Sequence, residues 1–187
     1  VDAADFNNDG WPDIAQTDMM PEDMPTRKRM SGAVSRSDQM ERRRRGHMEA
    51  YTQNTLQLSN GVTTNGDLVF SEIARMAGVA YTHWSWAALF GDCDNDGYKD
   101  LLVTSGYPKA VTDFDYQSKM FKLAQQEQRD QQKISPRRLK IMQELPTYRV
   151  SNFMFRNNGD LTFTKTTRAW GLDQPGFSYG AAFADLD

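Results

Sequence analysis

Asp92-Cys-Asp-Asn-Asp-Gly-Tyr-Lys-Asp100 runs directly into Asp100-Leu-Leu-Val-Thr104, and the reading of that junction decides the fold. Acids stand at the first, third, fifth and ninth positions, with glycine at the sixth. Glycine there permits a sharp turn that a side chain would strain. The β-branched, apolar run that follows suits a buried strand. The stretch therefore predicts a tight acidic loop that feeds a strand.

The pattern recurs. Asp5-Phe-Asn-Asn-Asp-Gly-Trp-Pro-Asp13 repeats it, and Asp185-Leu-Asp187 begins it again. The approaches match too, Trp86-Ala-Ala-Leu-Phe-Gly-Asp92 against Tyr179-Gly-Ala-Ala-Phe-Ala-Asp185. Upstream, Asn54-Thr-Leu-Gln-Leu-Ser-Asn-Gly61 parallels Asn152-Phe-Met-Phe-Arg-Asn-Asn-Gly159. Each is followed by a Phe-containing strand, Leu68-Val-Phe70 or Leu161-Thr-Phe163, and then by Ala77-Gly-Val79 or Trp170-Gly-Leu172. Landmarks recurring in one order mark a repeat architecture. Leu56-Gln-Leu58 and Phe153-Met-Phe155 read as strands, with the Asn-Gly and Asn-Asn-Gly that follow as hairpin turns. Short strands at regular intervals with Gly and Asn turns point to a propeller or a sandwich, and a hairpin plus a metal loop in each unit favours the propeller.

The chemistry of the loops is that of a hard cation. Calcium takes six to eight oxygen ligands at about 2.3–2.6 Å. In the first loop the ligands would be Asp5, Asn7, Asp9, the Trp11 carbonyl and Asp13. In the second they would be Asp92, Asp94, Asp96, the Tyr98 carbonyl and Asp100, with Asp185 and Asp187 opening a third set. Four carboxylates against three predict tighter binding at the second loop. Cys93 and Asn95, at its second and fourth positions, are expected to point away from the ion. An EF-hand or a dockerin-type loop needs a ligand at position 12, but that place holds Gln16 in one loop and Val103 in the other.

With the acid at position 9 and a strand directly after, the loops resemble those of FG-GAP/VCBS repeats. The Gly-Ala-Ala-Phe-Ala-Asp approach and the Asn-Asn-Gly-Asp…Phe-Thr hairpin are similar to that family as well, and most of all to large bacterial VCBS-repeat proteins that often end in an ASPIC/UnbV domain. The resemblance implies an integrin-α-like β-propeller, mainly β. The chain would be a fragment of about two repeat units, cut at both ends. A propeller blade takes about 40–50 residues, so the wider spacing of these loops requires insertions. They are placed at about 19–50, rich in Met, Arg and Pro, and at about 112–145. The second should form two helices, one capped by Thr112 or Asp113, the other by Ser135 with Pro136 in its first turn. Both are read as decorations of one domain, 1–187.

Composition excludes several classes. The chain has 187 residues, 39% hydrophobic and 25% charged, with a net charge of −3, a globular profile without strong attraction to polyanions. No apolar run approaches the roughly 20 residues of a membrane helix. One cysteine and two histidines leave neither a disulfide framework nor a Cys- or His-based zinc site. Arg27-Lys-Arg29, Arg36 and Arg42 to Arg45 read as a solvated helix face or an arm toward the acidic loops, so nucleic acid is not an expected partner. Trp84, Trp86, Trp170, Phe177 and Tyr179 read as blade packing, with a carbohydrate platform as the other use. His83 is read as structural, because no nucleophile or acid stands at a motif-defined place near it. The expectation is a calcium-stabilised binding or adhesion scaffold, not an enzyme. It would be secreted, periplasmic or on the outer surface of a bacterial cell, with a protein or carbohydrate ligand on the propeller face. The alternatives are part of a carbohydrate-active propeller such as a polysaccharide lyase, or a polyanion binder through the Arg cluster.

Overall fold

The computed structural model describes residues 1–30, 36–47, 51–129 and 134–184. In chain order the elements are β1 (Asp2–Ala4), β2 (Asp13–Gln16), α1 (Met24–Arg29), α2 (Arg36–Arg44), β3 (Thr55–Val62), β4 (Leu68–Glu72) and α3 (Ala74–Ala77). They continue with β5 (Ser85–Gly91), β6 (Asp100–Ser105), α4 (Phe114–Arg129), α5 (Pro136–Glu144), β7 (Phe153–Asn157) and β8 (Phe163–Lys165). The chain divides into two compact units, one of Val1–Glu22, Gln53–Gly106 and Arg149–Asp187, the other of Asp23–Thr52 and Tyr107–Tyr148.

The first unit carries every described strand, and the fold is mainly β. Its strands form two open, four-stranded antiparallel sheets in simple chain order, β1-β2-β3-β4 and β5-β6-β7-β8. Each acidic loop connects the first strand of a sheet to the second. Each long insertion falls between the second and the third. Leu101 pairs with Phe155 and Val103 with Phe153. Because side chains alternate across a strand, these four share one face of the second sheet, and all are buried in the core.

That core joins the two sheets. Phe6, Ala15 and Leu56 of the first meet Phe90, Leu101, Phe155 and Phe163 of the second. Phe6 stacks on Phe90 with ring centroids 6.1 Å apart and tilts against Phe163 at 5.6 Å. The first strands are tied as well, since the Phe90 N–H donates to Asp2 Oδ2 at 2.8 Å.

One turn differs from expectation. Asn60-Gly61 is not the first hairpin turn but a bulge inside β3, where the register shifts between Ser59 and Val62. The chain reverses at 63–67 instead, with the Thr63 N–H donating to the Asp67 carbonyl at 2.9 Å. Gly61 has φ +76°, and a Cβ there would lie 3.3 Å from the Trp11 ring.

The second unit is helical. Asp23 caps α1 by accepting from the Thr26 N–H at 2.8 Å. Asp113, rather than Thr112, does so for α4 through the Tyr116 N–H at 3.1 Å. Ser135 caps α5 through the Arg138 N–H at 3.2 Å, with Pro136 next. Met30 and Asp113 form an antiparallel bridge between the two inserted segments. Buried Glu127 accepts from the Ser135 N–H at 2.8 Å and from Arg138 Nη1 at 3.0 Å. Ser135 is the larger influence holding its carboxyl below the ordinary glutamate range, and Arg138 adds to it. On α4, Phe114 and Phe121 are exposed.

Phe6→Ala should cost about 3–5 kcal/mol, the usual range for emptying a buried phenylalanine site. Urea denaturation of the variant checks this, and a loss below 1 kcal/mol would contradict the placement of Phe6 between the sheets.

Candidate metal centre

The ninth-position aspartate is the anchor of each loop. Asp13 opens β2, Asp100 opens β6, and both are fully buried. Asp100 Oδ1 accepts the Asn157 N–H at 2.9 Å and Oδ2 accepts the Cys93 N–H at 3.0 Å. Asp13 Oδ1 accepts the Ser59 N–H at 2.8 Å and Oδ2 the Phe6 N–H at 3.2 Å. One carboxylate thus ties the second position of its own loop to the third strand of its sheet.

The rest of each loop is built the same way. Asp5 accepts the Asp9 and Gly10 N–H groups at 3.1 and 2.8 Å, and Asp92 those of Asp96 and Gly97 at 3.1 and 3.0 Å. The Trp11 N–H donates to Asp9 at 2.8 Å, and the Tyr98 N–H to Asp96 at 2.9 Å. Asn8 and Asn95 take φ +60° and +57°, Gly10 and Gly97 φ +90° and +91°. Asparagine tolerates the left-handed region and glycine occupies it freely. The aromatic seventh residue then lies on a hairpin glycine, Trp11 on Gly61 and Tyr98 on Gly159, where a Cβ would approach within 3.3 and 3.2 Å.

This frame concentrates negative charge under cover. Burial pushes the Asp13 and Asp100 carboxyls above the ordinary aspartate value. The two N–H donors on each pull the other way, and nearby acids (Asp9 and Asp5, or Asp94 and Asp96) add to the upward push. Charge buried in this way is costly without a compensating partner. A cation within the loop would supply one, since each carboxylate has lone pairs beyond those its N–H donors use.

Three acids of the second loop could together hold a metal ion. Carboxylate oxygens of Asp92, Asp94 and Asp100 lie within 4.8 Å of one another. Ligands 2.3–2.6 Å from an ion are at most about 5 Å apart, so the three fit around one hard cation. Asp96 is directed elsewhere. Arg156 on β7 reaches into the loop, with Nε 2.5 Å from Asp94 Oδ2 and Nη2 2.8 Å from Asp96 Oδ2. In the first loop, among the described residues, Asp5, Asp9 and Asp13 do not gather so closely. There Asn7 is tied to Asp9, its Nδ2 donating to Oδ2 at 2.9 Å. Asp185 and Asp187 lie outside the described residues.

The loops are also joined to each other. Asn8 Nδ2 donates to the Gly97 carbonyl at 3.0 Å. Buried Asn157 donates through Nδ2 to the Phe6 carbonyl at 2.8 Å and the Lys99 carbonyl at 3.0 Å, while its Oδ1 accepts the Gly159 N–H at 2.9 Å. Arg156 and Asn157 have no place in the loop pattern, so sequence reasoning missed their roles. The signal was present in the Asn152 to Gly159 landmark, whose Arg-Asn pair directly precedes the turn.

Other singled-out residues fall apart from the loops. Trp86 packs between Trp84, at 6.5 Å between ring centroids, and Tyr179, at 5.4 Å, yet Trp86 and Tyr179 stay exposed. Arg42 to Arg45 are exposed, and Arg45 pairs with Glu41 one helical turn earlier.

Asn157→Ala should destabilise the chain by about 2–4 kcal/mol, because two carbonyls and one N–H lose their partner in a largely buried setting. Denaturant titration measures it, and an effect confined to a few tenths would show that the link between the loops carries no stability. Comparison of the chain with family models, curated proteins and solved structures finds no match in any of the three.

Proposed function

We propose that the chain is a calcium-binding piece of an FG-GAP/VCBS-type β-propeller, exported to the secreted, periplasmic or outer-surface space, where it serves as a binding or adhesion scaffold. The observation that carries the metal reading is the buried, doubly hydrogen-bonded aspartate at position 9, with three carboxylates of the second loop converging around one point. Calcium is the preferred ion because every donor is oxygen and the loop supplies both carboxylate and main-chain groups. Millimolar extracellular calcium would fill even a weak site of this kind.

Three features support the propeller reading. The two sheets share a chain-order meander with the acidic loop in the same place. Their first strands are neighbours, as innermost blade strands would be. Phe6, at position 2 of the first loop, fills the space between the sheets, whereas Cys93, its counterpart, lines an apolar cavity of about 460 Å³ with Leu89, Leu102, Met154 and Phe183 on the opposite face of the second sheet. A further blade would fill that face. Trp86 and Tyr179 are both exposed, which suits a ligand that packs on aromatic side chains, such as a carbohydrate.

Calcium at millimolar concentration should raise the melting temperature by several degrees over chelator, with bound metal detected by mass spectrometry of the native chain. An unchanged melting curve and no bound metal would reject the reading. The pH dependence has a definite sign. Because Asp13 and Asp100 have folded-state pKa values raised above the unfolded ones, their stabilising contribution is fully present below the ordinary aspartate pKa and is lost as pH rises through the raised values. Calcium requires the ionised carboxylates. The stability gained from calcium should therefore grow as pH rises through that window, read as the difference between urea midpoints in calcium and in chelator.

A further inference from the structure

The two loops share a hydrogen-bond frame but differ in one charge. Ser59 and Asn157 occupy the same place, each donating its N–H to Oδ1 of the ninth-position aspartate. The residue before each faces a different task. Leu58 packs partly buried against the core, whereas Arg156 forks across Asp94 and Asp96. Its Nε and Nη2 reach different carboxylates, so the guanidinium spans the third and fifth positions of the loop. Those positions supply two of the four carboxylates assigned above to the ion.

We propose that Arg156 is a resident counter-cation of the second loop, one that holds the loop in shape without metal and must release Asp94 and Asp96 before a divalent cation is fully ligated. The inference rests on the calcium reading of the loops. It reverses the order expected from carboxylate counts. The first loop, with three carboxyl groups and, among the described residues, no internal cation, fills at lower calcium. The second, with four, fills at higher calcium because its affinity is reduced by the displacement of Arg156. It also divides the loops in the metal-free state. The second keeps two ion pairs between loop and β7, while the first, among the described residues, is held by the Asn7–Asp9 contact, the Asn8 link to Gly97 and main-chain donors. Calcium therefore orders the first loop and exchanges one cation for another in the second.

The amide signals of Gly10 and Gly97 report the two loops separately in one NMR titration, because each N–H donates to the first aspartate of its own loop. The intact chain and its Arg156→Gln and Arg156→Lys variants are titrated with calcium chloride. In the unaltered chain Gly10 should reach its midpoint at lower calcium than Gly97. In Arg156→Gln the Gly97 midpoint should fall by roughly five- to tenfold, the worth of one or two exposed charge pairs. The Gly10 midpoint should move by a smaller factor than that of Gly97, since the ion pairs of Arg156 are to second-loop carboxylates and the first loop feels them only through Asn157 and the Asn8 to Gly97 contact. Arg156→Lys, which keeps the charge but loses the fork, should fall between. A Gly97 midpoint that is unchanged or higher in Arg156→Gln, while Gly10 still titrates, overturns the role of Arg156 and leaves the calcium reading standing. No response of either amide in any of the three proteins overturns both. Should Arg156→Gln fail to fold, the lysine variant decides, and a Gly97 midpoint no lower than that of the unaltered chain counts against the proposal.

Discussion

The structure of the β unit depends on two buried carboxylates. Asp13 and Asp100 each bind two main-chain N–H groups that no ladder satisfies, one from the loop and one from the third strand. A buried N–H left unpaired costs free energy comparable to a lost hydrogen bond. These side chains therefore do the work of main chain where the loop interrupts the sheet. The same burial that makes the anchor specific raises the carboxyl pKa values, so a shape-holding interaction is also a store of unfavourable charge.

Around this constraint the remaining contacts fall into order. Position 2 of the first loop delivers Phe6 into the inter-sheet core. Position 7 lays an aromatic ring over the hairpin glycine of the same sheet. Asn157 connects the loop of one sheet to that of the other through two main-chain carbonyls. Loop, hairpin and core are thereby one cooperative assembly, and ordering of a loop is felt at the packing of the sheets.

Much of this was legible in the residues. The run of Leu101 to Thr104 announced a buried strand, and Ser135-Pro136 announced a helix start, because each depends on local chemistry alone. The acidic spacing located the loops for the same reason. What escaped was cross-strand. Gly61 lies under Trp11, fifty residues away in the chain and adjacent only after pairing, and its bulge is visible only in the strand register. Arg156 looked like an ordinary strand residue until β7 paired with β6 and brought it to the loop. A count of carboxylates ranks sites only when no internal cation competes, and nothing in the loop pattern discloses such a cation.

The long insertions leave each sheet between its second and third strands, at the strand ends remote from the loops and hairpins. In a meander those connections are free of the contacts that fix the acidic end. Sequence there can lengthen or change composition without altering ligand spacing, the ring-on-glycine packing or the aspartate anchors. The two ends of each sheet therefore carry different loads. At one end the aspartate anchors, the aromatic ring and the glycine beneath it depend on one another, and at the other the insertions depart.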